Sequence, residues 1–164
     1  MNEEKLGWKE KFAATIVLLI GILYLANQVM NIVSSKTSAI YSEGDKWLIR
    51  KAELISDIKT YITIILAITG GILLFKKKQW GWIMSVPILM LVAVFMVSGL
   101  ALLLYTFEFN IVFIALMIAI VANLLSVVFL FLPGTRKKYR VGMLTFIPTL
   151  VFLLALMALY FLLK

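Results

Sequence analysis

The sequence predicts an all-α integral membrane protein, a bundle of five transmembrane helices whose second helix is extended by an amphipathic segment. Three observations carry that expectation. Of 164 residues, 63% are apolar and only 15% are charged, a composition outside the range of ordinary soluble domains. The apolar residues fall in long uninterrupted runs, as helices solvated by lipid require. The basic residues, which give a net charge of +8, collect in short clusters at the ends of those runs, where topology signals belong. The whole chain, residues 1–164, reads as one transmembrane helical domain.

Crossing a hydrocarbon core of roughly 30 Å takes about 20 helical residues. Residues 12–33, 82–105, 111–132 and 143–163 each meet that length. The run 60–75 is shorter, but the segment from Asp45 to Thr60 lengthens it into one helix. In that segment Leu48, Ala52 and Ile55 recur at helical spacing with Ile58 nearby, and Arg50, Glu53 and Asp57 mark a second, charged face. Asp45 after Gly44 suits a helix N-cap, and Trp47 suits the membrane interface. The first run is too long for a cleavable signal, and Glu3, Glu4 and Glu10 are foreign to a signal's basic start, so it is expected to be retained.

Orientation follows from the loops. Lys5, Lys9 and Lys11 precede the first span, Lys76, Lys77 and Lys78 join the second to the third, and Arg136, Lys137, Lys138 and Arg140 join the fourth to the fifth. These three clusters fall on one side, which the retention of basic residues makes cytoplasmic. The N-terminus is then cytoplasmic, the C-terminus lies outside, and the Thr106–Asn110 turn, with Glu108 as its only charge, faces outward. The loop after the first span must also face outward despite Lys36, Lys46, Arg50, Lys51 and Lys59, and is the exception to the alternation. Trp8, Trp80, Trp82, Tyr61, Tyr105, Tyr139 and Tyr160 lie near span ends and read as interface anchors. In KKKQWGW, residues 76–82, the charge serves topology, the Trp residues serve the interface and Gly81 serves a tight turn.

Cys and His are both absent, which removes disulfides, thiolate nucleophiles, imidazole bases and the usual zinc and haem ligands. No cofactor is expected. Every charged residue is expected in a loop or at a span end, which leaves no candidate for a proton relay or an ion-coupling carboxylate. Glu53 and Asp57, four residues apart, read as a solvated face rather than a cation site. Nucleic acid is not an expected partner, because the basic residues do not form a soluble face.

The most regular polar feature inside the membrane is in the first span, where Tyr24, Asn27, Gln28 and Asn31 occupy i, i+3, i+4 and i+7. Such a stripe should face other helices or a wet cavity rather than lipid. Matching depths pairs Asn27 and Gln28 with Ser98 on the third span and Asn31 with Thr63 on the second. A second set, Ser85, Asn123, Ser126, Thr145 and Thr149, lies toward the other side of the membrane, where hydroxyls near Pro87 and Pro148 would satisfy carbonyls freed by the prolines. On the fourth span Ala115, Ala119, Ala122 and Ser126 form a small-residue seam suited to close helix approach, and Ala67 and Gly71 repeat the pattern once on the second.

These features predict a non-catalytic membrane subunit or assembly protein whose partners are the lipid bilayer and other membrane subunits or further copies of itself. The alternative is a permeation protein, a small carrier or a membrane-perturbing effector that oligomerises into a pore, lined by the stripe. An enzyme acting on lipid, with Lys137 and Arg140 at a lipid phosphate, is the least favoured reading because no base is paired with a nucleophile.

Overall fold

A computed structural model describes residues 6–38, 46–105 and 111–161, with side chains except over 34–38 and 46–53. The helices are α1 (Trp8–Ser38), α2 (Lys46–Phe75), α3 (Gln79–Tyr105), α4 (Ile111–Phe131), α5 (Pro133–Lys138) and α6 (Met143–Phe161). Five of them contain stretches long and apolar enough to cross a membrane: Trp8–Val33, Leu54–Phe75, Gln79–Tyr105, Ile111–Phe131 and Met143–Phe161. The protein is therefore a membrane-embedded all-α bundle. The expected Asp45 cap, the loops 39–45 and 106–110, the faces of Leu48, Arg50, Ala52 and Glu53, and the last residues of the fifth span lie outside the described residues.

As the sequence reading expects, helix α2 is continuous from Lys46, with Asp57 and Lys59 in the first turns of its apolar stretch, at the span end. One feature differs from that reading. A short helix, α5, follows α4 directly. Pro133 causes this: it holds Leu132 in an extended conformation (φ −58°, ψ 140°), which ends α4, and then occupies the first turn of the next helix, where its missing N–H costs nothing.

Helix α3 lies at the centre and packs against α1, α2, α4 and α6. Its first half, Gly81 to Val92, is almost entirely buried, as expected of a helix that is apolar on every face. Helices α1 and α2 run antiparallel at close range. A Cβ on Gly21 would stand 2.8 Å from Ile68 and 3.2 Å from Ala67, and one on Gly71 would stand 2.6 Å from Leu18. Gly81 is not in a turn; a Cβ there would overlap the backbone of Leu73 and Leu74, so its lack of a side chain is what lets α3 lie against the end of α2.

The buried residues gather at one end of the bundle, here called proximal, which carries the start of α1, the α2–α3 turn and α5. Ala13, Ala14, Val17, Leu74, Trp82, Ile83, Val86, Leu89, Leu130 and Tyr139 form its core. Trp82 and Tyr139 are not interface anchors. Both are fully buried; the Trp82 indole donates to the Leu130 carbonyl at 3.0 Å, and the Tyr139 hydroxyl donates to the Leu74 carbonyl at 2.8 Å. Aromatic residues with a polar tip can be buried once that tip has a partner. Phe131 and Phe146 meet the Trp82 ring edge-on, each with centroids 5.5 Å away. Trp8, Trp80, Tyr61 and Tyr105 are exposed, as interface residues would be.

Candidate functional site

The polar stripe of α1 divides. Tyr24 is half-buried and Gln28 is buried, while Asn27 and Asn31 are exposed. Past Gly21, Gln28 is the only buried residue among the described side chains of α1. Its amide donates to Asp57 Oδ1 on α2 at 2.7 Å, not to Ser98. The register explains this: Gly21 faces Ala67 and Ile68, so seven residues later α1 has passed Thr63 and is level with the start of the α2 span. Ser98 is exposed and back-bonded to the Val94 carbonyl. Thr63 instead meets α6, its hydroxyl 2.6 Å from that of Tyr160, and Lys59 Nζ donates to the Tyr160 carbonyl at 3.4 Å. Of the stripe and its predicted partners, Gln28 and Thr63 are thus engaged in bonds between helices, and Ser98 is not.

The small-residue seam of α4 is graded along its length. Ala115 is exposed, Ala119 and Ala122 are half-buried and Ser126 is buried. Ala67 and Gly71 on α2, by contrast, lie at a close helix approach, facing Ala14, Leu18 and Gly21 on α1. In the second polar set, Asn123 donates to the Leu89 carbonyl at 2.9 Å, and Ser126 and Thr149 bond back to the carbonyls of Ala122 and Thr145. Those acceptors are not Ile83 and Leu144, whose carbonyls Pro87 and Pro148 leave free. Ser85 has no hydrogen-bond partner and packs against Gly70.

The arrangement with the clearest chemistry is at the proximal end. Phe75, Lys76, Lys77, Lys78, Gln79, Lys138, Tyr139 and Arg140 line an open basin of about 620 Å³, within the usual range of small-molecule sites, roughly 300–1,000 Å³. Two helix ends build it in the same way. After α2, the N–H of Lys77 bonds to the Leu74 carbonyl and that of Lys78 to the Leu73 carbonyl; after α5, the N–H of Arg140 bonds to the Lys137 carbonyl and that of Val141 to the Arg136 carbonyl. These paired bonds define Schellman caps, whose corner residue must adopt a left-handed backbone and is usually Gly. Here the corners are Lys77 and Arg140, both at φ 53°. A side-chain-bearing residue in that conformation is strained by about 1–2 kcal/mol, so each corner holds a cation at the expense of a more comfortable turn.

The two corners are tied together. Leu74 O accepts both the Lys77 N–H and the Tyr139 phenol, and Gln79 Nε2 donates to the Arg140 carbonyl at 3.2 Å and to Thr145 Oγ1 at 2.7 Å. Burial, and then the nearby Glu10 carboxylate, push the Tyr139 phenol above its usual pKa, so it remains a donor. Glu10 is buried on α1, forms an ion pair with Lys138 at 3.1 Å and accepts from Thr135 at 3.4 Å. Lys138 is offset by the Glu10 carboxylate, and among the described residues no acid lines the basin. Like charges gathered around one basin repel one another and are relieved by a counter-anion.

Sequence reasoning assigned these cations to topology, apart from placing Arg140, with Lys137, at a lipid phosphate in its least favoured reading, and it missed Gln79 and Tyr139 as positioning groups. One signal was present: the chain turns between two helices at Lys77 with neither Gly nor Asn in the corner. No protein-family model matches this chain, and no curated protein or solved structure is significantly similar to it.

Proposed function

We propose that this is a non-catalytic membrane protein that acts by binding, that its recognition end is the basic basin, and that the basin faces the cytoplasm and holds a phosphate-bearing or similarly charged anion. The observation that carries the reading is the pair of left-handed corners occupied by Lys77 and Arg140. Topology accounts for basic residues in this loop but not for their presence at the two positions where Gly would be the more stable choice. The permeation reading has less support, since Gln28 is committed to Asp57 while Asn27 and Asn31 are exposed.

The test uses the same corners. Replacing both residues with Gly, Lys77→Gly with Arg140→Gly, relieves the backbone and removes two cations. Stability should rise by about 1 kcal/mol for each corner, while affinity for inorganic pyrophosphate at low salt should fall. A variant that is more stable and binds pyrophosphate as well as the parent would sink the proposal. The orientation has a separate check. A single Cys at Lys78 or Lys137 should be shielded from a membrane-impermeant thiol reagent in intact cells, and one at Glu108 should react; the opposite pattern would reverse the topology.

A further inference from the structure

Directly beneath the basin is an apolar groove of about 300 Å³, lined by Val86, Pro87 and Met90 of α3 and by Phe146, Leu150 and Leu153 of α6, with Phe131 of α4 beside them. Basin and groove are linked through Thr145. Gln79, which lines the basin, donates to Thr145 Oγ1, and the next residue, Phe146, lines the groove; one turn further on Thr149, which also lines it, bonds back to the Thr145 carbonyl. Arg136 stands at the junction. Its guanidinium lies 4.9 Å above the Phe146 ring, and its Nε is shielded from solvent with no hydrogen-bond partner, an expensive state for a charged donor.

Resting on the reading of the basin as an anion site, we infer that basin and groove form one site for an anionic phospholipid, the phosphate-bearing headgroup lying among Lys76, Lys77, Lys78 and Arg140 and one acyl chain running along the α3–α6 groove. A soluble phosphate would use the basin and leave the groove empty. A lipid at this depth uses both: its phosphate oxygens are acceptors for the basic side chains, and its chain covers apolar surface that Ile147 and Leu150, both exposed, open to the bilayer. An acidic protein segment would match the basin but not the groove, whose lining is almost wholly apolar.

The experiment takes the full chain in uncharged detergent and follows retention of dioleoylphosphatidylglycerol or dioleoylphosphatidylcholine by native mass spectrometry, with inorganic pyrophosphate titrated in parallel. Phosphatidylglycerol should bind in preference to phosphatidylcholine. The double variant Lys77→Gly with Arg140→Gly should weaken both phosphatidylglycerol and pyrophosphate by about fivefold per cation removed. Leu150→Trp, which fills the groove from its exposed side, should weaken phosphatidylglycerol by roughly tenfold, the equivalent of about two methylene contacts, and leave pyrophosphate unchanged. Ile147→Trp, at a second exposed position, serves if Leu150→Trp lowers the melting temperature. If the groove variants bind phosphatidylglycerol like the parent while the corner variant loses both ligands, the lipid inference fails and the anion basin stands. If the corner variant loses neither ligand, both readings fail. Equal retention of the two lipids, or tighter binding of a polyglutamate peptide than of phosphatidylglycerol, would also overturn the lipid site.

Discussion

At the proximal end of the bundle Trp82, Tyr139 and Gln79 each send a side-chain donor to a backbone oxygen of another segment, and the residues around them are buried. At the distal end the same kinds of apolar residue face outward: Tyr105 is 83% exposed, Ile111 81% and Leu102 64%. Helix contacts there include the polar pairs Gln28 with Asp57 and Thr63 with Tyr160, beside the Phe95 ring against those of Tyr160 and Phe161. In a bilayer the difference has a simple cause. Lipid solvates apolar side chains as well as a protein core does, so burying Leu or Ile drives little association, whereas a polar group gains only where it finds a partner. The proximal end is thus the more tightly packed of the two, and the distal end is left to lipid.

The largest expected effect breaks the proximal core. Trp82→Ala removes the largest buried side chain, its bond to Leu130 and its contacts with two aromatic rings, and should destabilise the protein by about 3–5 kcal/mol. Tyr105→Ala at the distal end should change stability by less than about 0.5 kcal/mol. Unfolding in mixed micelles with increasing denaturing detergent measures both; similar losses would mean that the two ends are packed alike.

Smaller effects sharpen the contrast within the distal half. Gln28→Leu leaves the Asp57 carboxylate without its 2.7 Å donor and should cost about 1–2 kcal/mol, whereas Asn27→Leu, at an exposed position, should be neutral or slightly stabilising in lipid. If liposomes holding either variant lost an ion or solute flux present in the parent, the permeation reading would regain its ground.

The smallest effect is a pH dependence at the proximal end. Burial and the Glu10 charge raise the Tyr139 pKa in the folded state, so the phenol contributes stability that is fully present below its unfolded pKa of about 10 and is lost as pH rises through the higher folded value. Tyr139→Phe should cost about 1 kcal/mol at neutral pH, the worth of the Leu74 bond. It should also remove part of the alkaline loss, so that parent and variant converge above pH 10. Parallel curves would mean that the phenol does not titrate with unfolding.

Much of the fold was legible because a span is a one-dimensional property: length and hydropathy along 12–33 or 82–105 suffice, whatever the neighbours. The continuous α2 was legible for a similar reason, since nothing between Asp45 and Phe75 interrupts a helix. The α4–α5 break was marked by Pro133, whose effect on Leu132 is local, but the apolar run concealed it. Properties that depend on neighbours were not legible. Trp82 and Tyr139 sit at span ends as interface residues do, and only the opposing carbonyls of Leu130 and Leu74 decide that they are buried. The stripe shared a helical face, but whether a face meets another helix depends on how far the partner extends, which separates Gln28 from Asn31. The basin was least legible of all, because its two halves are more than fifty residues apart and each half alone looks like an ordinary topology signal.

The shared carbonyl of Leu74 has a consequence for biosynthesis. Lys76 to Lys78 are made and positioned once α2 and α3 pair, yet the second corner and the phenol that fixes it are translated only after α4. A chain arrested before α5 carries the lysines without the far wall, and one arrested before α6 lacks Thr145, the anchor of Gln79. The basin therefore comes into being when α6 docks behind α5, and occupancy by an anion would mark a chain in which that docking has taken place.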